Sequence, residues 1–471
     1  MLKRCDIVTK NELLLKTDSF LNKFFSGDSI HYRQIISIII PLLVDQTFVV
    51  GLSLLNTAMI SSSGVSAVSA VNMVDSLNIF LVNVFIAVAT GGTVVVAQYR
   101  GNGNDLMVSK AAAGSVSSVA LLAGFISVLV MIFHTPMLGA LFGNAQAEVF
   151  SNAKIYLIGS ALSYCGIAAV EAVCGALRGV GETRSSLALS LIMNLTYVLL
   201  NFVLINMLHM GVWGMVIALN VSRYIGAACS LLYLVRGHTS VHFQIKDLFH
   251  FDLSMLKKIL FIGLPFAAEQ MFFNGGKILT QTFIVQLGVL AMATNAIAGS
   301  IAGLFQIPAN ALMLAAVTVV GQCMGRRNIK DARKFVRSFL GLSCVSFLLM
   351  FLLVMPLFYP LVSLFNPPAA IVPDLYTIIL ITGLSQIPLW SASFLTPSAL
   401  RAAGDSKFTS VVSMLTMWLF RVVLGYILGI VLPFGIVGVW VAMISEWGVR
   451  GLIFLLRFKG KKWYQHHLID D

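Results

Sequence analysis

The sequence predicts an all-α polytopic membrane protein with twelve transmembrane helices in two parallel-repeat six-helix bundles. Three observations carry that prediction: an apolar composition, basic residues confined to alternate connections, and a second half that repeats the first. Of 471 residues, 58% are hydrophobic and 11% charged, against about 25% charged in soluble domains. A bilayer core needs roughly 20 apolar residues per helix, which Ile35–Leu55 supplies. This composition argues against a soluble enzyme. The net charge of +12 would suggest a nucleic-acid partner in a soluble protein, but here it is read by loop position.

Residues 1–33 mix Lys3, Arg4, Lys10, Lys16 and Lys23 with acids and have no apolar run before Ile35. No signal peptide is read there, and a cytoplasmic segment is expected. The first bundle, 34–235, is expected to hold helices at 34–59, 66–98, 107–134, 147–177, 185–208 and 212–235, placed by apolar run length. Helix 1 contains Pro41, and helix 2 runs to Gln98 before the basic connection 99–110. Helix 4 closes on Arg178 and Gly181, before helix 5. A polar cytoplasmic linker, 236–257, leads to the second bundle, 258–457, with helices at 258–286, 291–323, 332–359, 371–400, 407–431 and 435–457. Helix 7 carries Pro265, and helix 10 closes on Arg401 and Gly404; residues 458–471 form a cytoplasmic tail. The connections 99–110, 178–184, 236–258, 324–337, 401–407 and 457–462 hold most of the Lys and Arg, and the alternate connections hold none. That alternation is the positive-inside pattern, and it places both termini in the cytoplasm.

The second half repeats the first at an offset of 224 residues (265 − 41). Pro41-Leu-Leu-Val-Asp45-Gln46 meets Pro265-Phe-Ala-Ala-Glu269-Gln270, and Gln98-Tyr-Arg-Gly101 meets Gln322-Cys-Met-Gly325. After a one-residue slip, Ala176-Leu-Arg178-Gly-Val-Gly181 meets Ala399-Leu-Arg401-Ala-Ala-Gly404. Six helices separate the copies, an even number, so both have the same membrane orientation, a common plan for transporters with a central cavity.

Leu54-Leu-Asn56-Thr57, the helix 2 end Gly91-Gly-Thr-Val-Val-Val-Ala-Gln98, and Ala176-Leu-Arg-Gly-Val-Gly-Glu-Thr183, with their second-half copies, resemble the multidrug and toxic compound extrusion (MATE) family. The resemblance runs from about residue 34 to 457. It implies a secondary antiporter that exports bulky, often cationic or amphipathic organic compounds in exchange for H⁺ or Na⁺, alternating between outward-open and inward-open shapes. It also implies a coupling site with a carboxylate at the position of Asn56 and polar groups at Tyr197 and Asn201; a plasma-membrane location is expected separately, from the lack of a read presequence and the polarity of the loops. This sequence departs from that pattern, because an amide neither titrates nor supplies negative charge. The family's acidic positions in helices 7 and 10 fall near Phe273–Asn274 and at Trp390, which are not acidic either.

Ionisable groups inside a bilayer are costly and mark function by default. Asp45 lies near the middle of helix 1, four residues after Pro41, and Glu269 repeats that geometry after Pro265. Asp45 with Gln46, and Glu269 with Gln270, are therefore the first candidates for cation coupling, with Asn56, Tyr197 and Asn201 at the family position. Pro41 and Pro265 are candidate hinges, since proline removes a helical N–H. Asp75, Glu171, Asn274, Lys277, Arg421 and Glu446 are secondary candidates. The alternative for Asp45 and Glu269 is a structural ion pair with Arg223, Lys277 or Arg421. Arg178 and Arg401 are expected to anchor at the phosphate interface.

No GxxxxGK[ST] is present, so no nucleotide is expected. Six cysteines without a CxxC pair and eight histidines without HExxH spacing give no disulfide framework and no metal site unless Na⁺ is the coupling ion. No cofactor and no nucleic acid are expected. The expected partners are a small organic substrate and the lipid bilayer, with one chain as the transport unit. Two other functions stay open: a lipid-linked oligosaccharide flippase, which would favour clustered basic residues for a pyrophosphate, and a non-transporting receptor or channel.

Overall fold

The computed structural model describes residues 18–19, 21–60, 65–142, 147–236, 241, 252–432, 434–466 and 468–469, with side chains described except at 53–60, 65–66, 68 and 140–142. Twelve long helices follow one another among the described residues. The first six are α1 (Tyr32–Ile60), α2 (Val65–Asn102), α3 (Asp105–Phe142), α4 (Ala147–Val180), α5 (Thr183–Met207) and α6 (Gly211–Arg236). The second six are α7 (Leu253–Gln286), α8 (Val289–Gly325), α9 (Ile329–Val354), α10 (Ala369–Ala402), α11 (Ser406–Val431) and α12 (Gly435–Lys459). Eleven of these are long and apolar enough to cross a membrane. The other is α7, whose middle carries Glu269, Gln270, Asn274 and Lys277.

Most boundaries fall within a few residues of those expected. α9 ends at Val354 and a short turn, Phe358–Ser363, follows, because Pro356 cannot donate to the helix and restricts its predecessor. Gly181 and Gly404 close α4 and α10 with φ of 93° and 98°, a left-handed conformation open to glycine and costly to other residues. Pro41 and Pro265 sit within unbroken helices. π-helical stretches interrupt α5 at Phe202–Met207, α10 at Gln386–Leu395 and α11 at Met417–Leu424 and Ile427–Val431. Such segments recur at functional sites, where they rotate side chains out of ordinary helical register.

The repeat is visible in the packing. α1 lies against α5 of its own half and α8 of the other, as α7 lies against α11 and α2. The ends of these two helices nearer the basic loops are exchanged between cores. Ile35, Ile38 and Leu42 of α1 pack with Val319, Phe335 and Phe339 of the second half, while Met255 and Ile259 of α7 join the core of the first. The segment before α1 goes the same way. Phe25 meets Phe339 edge-on, Lys334 donates to the Ser26 carbonyl, and Ser29 N donates to Asp331 at 2.7 Å.

The halves lock together at the end bearing the basic loops, through two pairs of matching contacts. Gln98 Nε2 donates to the Ala402 carbonyl at 2.8 Å, and its repeat mate Gln322 Nε2 donates to the Gly179 carbonyl at 2.9 Å. Gly101 abuts the Gln322 carbonyl, and Gly325 abuts that of Gln98. A Cβ at either position would overlap backbone, so glycine there lets α2 and α8 touch.

Candidate functional site

The first half holds two linked polar clusters. Nearer the basic-loop end, Asp45 of α1 is buried and its Oδ1 has no hydrogen-bond partner. It acts electrostatically on Glu171 of α4, which pairs with Arg178 at 3.6 Å. Deeper in the half, Asp75 of α2 accepts from the Tyr156 hydroxyl at 3.0 Å and from Asn78 Nδ2 at 3.2 Å. The Tyr164 hydroxyl donates to Asn78 Oδ1 at 2.7 Å, and Asn78 also donates to Ser160. Arg223 of α6 donates to Ser163 at 2.7 Å and acts on both Asp75 and Glu171. Tyr197 of α5 bonds to Asn201 and to Tyr156, so the α5 pair joins Asp75 through one tyrosine. Counted as ionised, these groups comprise three carboxylates (Asp45, Asp75, Glu171) and two guanidiniums (Arg178, Arg223), a net charge of −1.

The second half has the opposite balance. Glu269 accepts from Arg401 Nη1 at 3.0 Å and from the Ser410 hydroxyl at 3.1 Å, and the Arg401 guanidinium lies 4.1 Å from the Phe266 ring centre. Glu446 of α12, fully buried, pairs with Arg421 Nε at 2.6 Å and Arg450 Nη1 at 2.8 Å. Arg450 Nε donates to Ser393 Oγ at 2.6 Å and its guanidinium covers Phe394 at 4.2 Å. Arg421 and Ser393 both lie on the π-helical stretches of α11 and α10, which bring them toward α12. Lys277 stands 4.9 Å over the Phe273 ring. It lines a cavity of roughly 210 Å³ together with Arg421, Thr280, Gln281, Asn295 and Trp440. Four cations (Lys277, Arg401, Arg421, Arg450) against two carboxylates (Glu269, Glu446) leave +2.

The structure therefore brings Tyr197 and Asn201 together with Asp75, and Lys277 and Arg421 together with Glu446. Asn56 lies on α1, but its side chain falls outside the described residues. Gln46 and Gln270 are half-buried beside Asp45 and Glu269. Asn274 donates to the Gln270 carbonyl at 2.9 Å, a local bond within α7. Trp390 is buried and stacks on Phe394 at 4.7 Å. The partner of Glu269 is Arg401, and none of the three cations weighed from sequence. Arg401 is 5% exposed, so its expected anchorage at the phosphate interface is corrected: a buried carboxylate one helix away holds it. Arg450 was missed although it stands four residues after Glu446 on one helix face, a spacing that pairs side chains. Tyr156 carries no sequence signal, because its role depends on α2, α4 and α5 meeting. Among the described residues no group of three His, Cys, Asp or Glu is placed to hold a metal ion.

The family model described as MatE matches residues 41–203 and again 265–427, two stretches offset by the same 224 residues. The chain belongs to the MatE family. A curated relative from Bacillus subtilis (strain 168), the uncharacterized transporter YisQ, is 25% identical over 434 residues, covering 90% of this chain and 93% of its own. The probable multidrug resistance protein NorM of Thermotoga maritima is 26% identical, covering 92% and 93%. The outward-facing structure of a multidrug resistance MATE transporter superposes with a TM-score of 0.83 at 19% identity, covering 93% of this chain and 97% of that one. This is a multi-pass MATE transporter of the multidrug efflux family, with the twelve-helix, two-repeat fold.

Proposed function

We propose that this MATE transporter is a plasma-membrane antiporter exporting bulky amphipathic organic compounds in exchange for H⁺ or Na⁺. One chain is the transport unit, with both termini cytoplasmic. The observation that carries the coupling is the polar cluster of the first half, where two guanidiniums serve three carboxylates, Asp45 Oδ1 has no hydrogen-bond partner and Asp75 accepts only from neutral donors. An uncompensated charge in a low-dielectric interior is costly, so the cluster recruits one monovalent cation. Asp75 stands in for the carboxylate missing at Asn56: it reaches Tyr197 and Asn201 from α2 rather than from α1. Asp45, with an unpartnered oxygen, is the second seat of that charge and faces the basic-loop end. Glu269 is the structural member of the repeat pair, since Arg401 already neutralises it.

The inter-half lock at the basic-loop end supports a state closed to the cytoplasm. Export requires the lock to open while the far ends close. The test is export of organic dyes, cationic ethidium and anionic carboxyfluorescein in parallel, from proteoliposomes under an imposed pH gradient and then a sodium gradient. Wild type is expected to export under one gradient, and Asp75→Asn and Asp45→Asn to lose that dependence while Glu269→Gln, if folded, keeps it. Gradient-driven export unchanged in both aspartate variants would overturn the coupling assignment. The basic cluster in the second half favours one other reading, a flippase for a lipid-linked pyrophosphate, which predicts gradient-independent lipid movement and no export of either dye.

A further inference from the structure

We infer that the cavity of the second half is an anion subsite, and that substrates of this transporter carry a carboxylate, sulfonate or phosphate group beside an aromatic or apolar body. The inference deepens the export reading given above and rests on it.

Glu446 is the carboxylate that two of the cations around this cavity share, with Arg421 on one oxygen and Arg450 on the other. Each guanidinium carries five N–H donors in a fixed fork, so one carboxylate leaves most of them unspent. Arg450 spends another on Ser393. Arg421 lies on the cavity wall with its positive charge only half balanced, since Glu446 is shared. Lys277 adds a further amine donor and is open to the cavity, with Phe273 as its neighbour. Among the remaining wall groups, Thr280 donates to the Gly276 carbonyl, Asn295 Nδ2 donates to Gln281 Oε1 and Trp440 Nε1 donates to Asn295 Oδ1, while each carboxamide carries a second N–H.

The chemistry of this wall selects its guest. A cationic substrate would meet Lys277 and Arg421 as like charges and would need the Glu446 carboxylate, which is fully buried behind both arginines. An anion supplies the counter-charge that the arrangement lacks. A planar anion matches the guanidinium fork in two-point contact, while its apolar part packs on Trp440 and Met443. The division of charge then fits exchange: the surplus negative charge for the coupling cation is in the first half, and the surplus positive charge for the substrate is in the second.

The test compares two dyes with the same xanthene core, carboxyfluorescein (anionic) and rhodamine 123 (cationic), by equilibrium dialysis against the purified full-length protein in detergent. Wild type is expected to bind carboxyfluorescein more tightly. Lys277→Gln should weaken that binding roughly tenfold or more, the loss expected when a charged hydrogen bond of 1.5–3 kcal/mol is removed. Lys277→Arg should preserve it, and Lys277→Glu should reverse the preference toward rhodamine 123. Equal binding of the two dyes by wild type, or carboxyfluorescein binding unchanged in Lys277→Glu, overturns the inference. Because dialysis needs no turnover, this failure is separable from failure of the export reading, which shows as absence of any gradient-driven dye movement. A parallel arm with vesicles containing fluorescent phosphatidylglycerol identifies the source of the anion. Lipid translocation that disappears in Lys277→Glu assigns a lipid headgroup, and dye export that disappears assigns a soluble anion.

Discussion

Gly325→Ala should force open the closed end of the transporter. A Cβ on Gly325 would stand 2.7 Å from the Gln98 carbonyl carbon and 3.0 Å from its Cα, closer still to the oxygen. Carbon atoms in contact prefer about 3.5–4.0 Å, so α2 and α8 must separate by roughly 1 Å at this end. All three atoms met are backbone, so no side chain can swing aside. Overpacking of this kind costs about 1–3 kcal/mol, which shifts the ratio of closed to open molecules by about 5- to 150-fold. The assay is pulsed EPR between labels at Asn102→Cys and Lys330→Cys, both exposed beside the lock, in a protein whose six native cysteines are replaced. Gly325→Ala should move the distance distribution to longer values. Gly299→Ala is the control, because a Cβ there meets nothing within 4 Å. The same distribution in Gly325→Ala as in the control would refute the reasoning.

Glu446→Gln leaves Arg421 and Arg450 as buried, uncompensated cations, and breaking a buried pair in this way costs about 3–5 kcal/mol; a large loss of thermal stability in detergent is expected, and an unchanged melting temperature would contradict it. The repeat mates Asp45 and Glu269 should part company in the same assay. Glu269→Gln strands Arg401 and is expected to destabilise on the same scale, whereas Asp45→Asn removes a charge whose Oδ1 has no partner and should leave stability within about 1 kcal/mol. Replacing Gln98 and Gln322 together by Ala should remove about 0.5–1.5 kcal/mol per hydrogen bond and lengthen the same label distance, with each single variant giving about half the shift.

The fold was legible because a membrane leaves few options. Apolar run length fixed the helices, loop charge alternated, and the 224-residue register tied Gln98 to Gln322 and Gly101 to Gly325 before either contact was seen. α7 is the long helix outside the eleven apolar spans, since Glu269, Gln270, Asn274 and Lys277 dilute its middle. The candidate site was legible by residue type and illegible by pairing. Asp75, Lys277, Arg421 and Glu446 stood out as ionisable groups in apolar runs, but spacing along one helix says nothing of which helix lies opposite. Glu269 pairs across to α10, and the α5 pair meets Asp75 only through Tyr156 of α4. The π-helical stretches of α10 and α11 add to this. They move Ser393 and Arg421 off the faces that a 3.6-residue period assigns, and nothing in the sequence announces them.

The polar cluster of the first half, with Asp45 and Asp75, holds the coupling cation in the proposed exchange. Direct cation binding to the purified protein tests it, by equilibrium dialysis with radioactive sodium and by proton release on a pH-stat. About one monovalent cation should bind per wild-type chain, be lost in the double variant Asp45→Asn with Asp75→Asn, and be retained in Lys277→Gln. Binding that survives in the double variant and disappears in Lys277→Gln would contradict it.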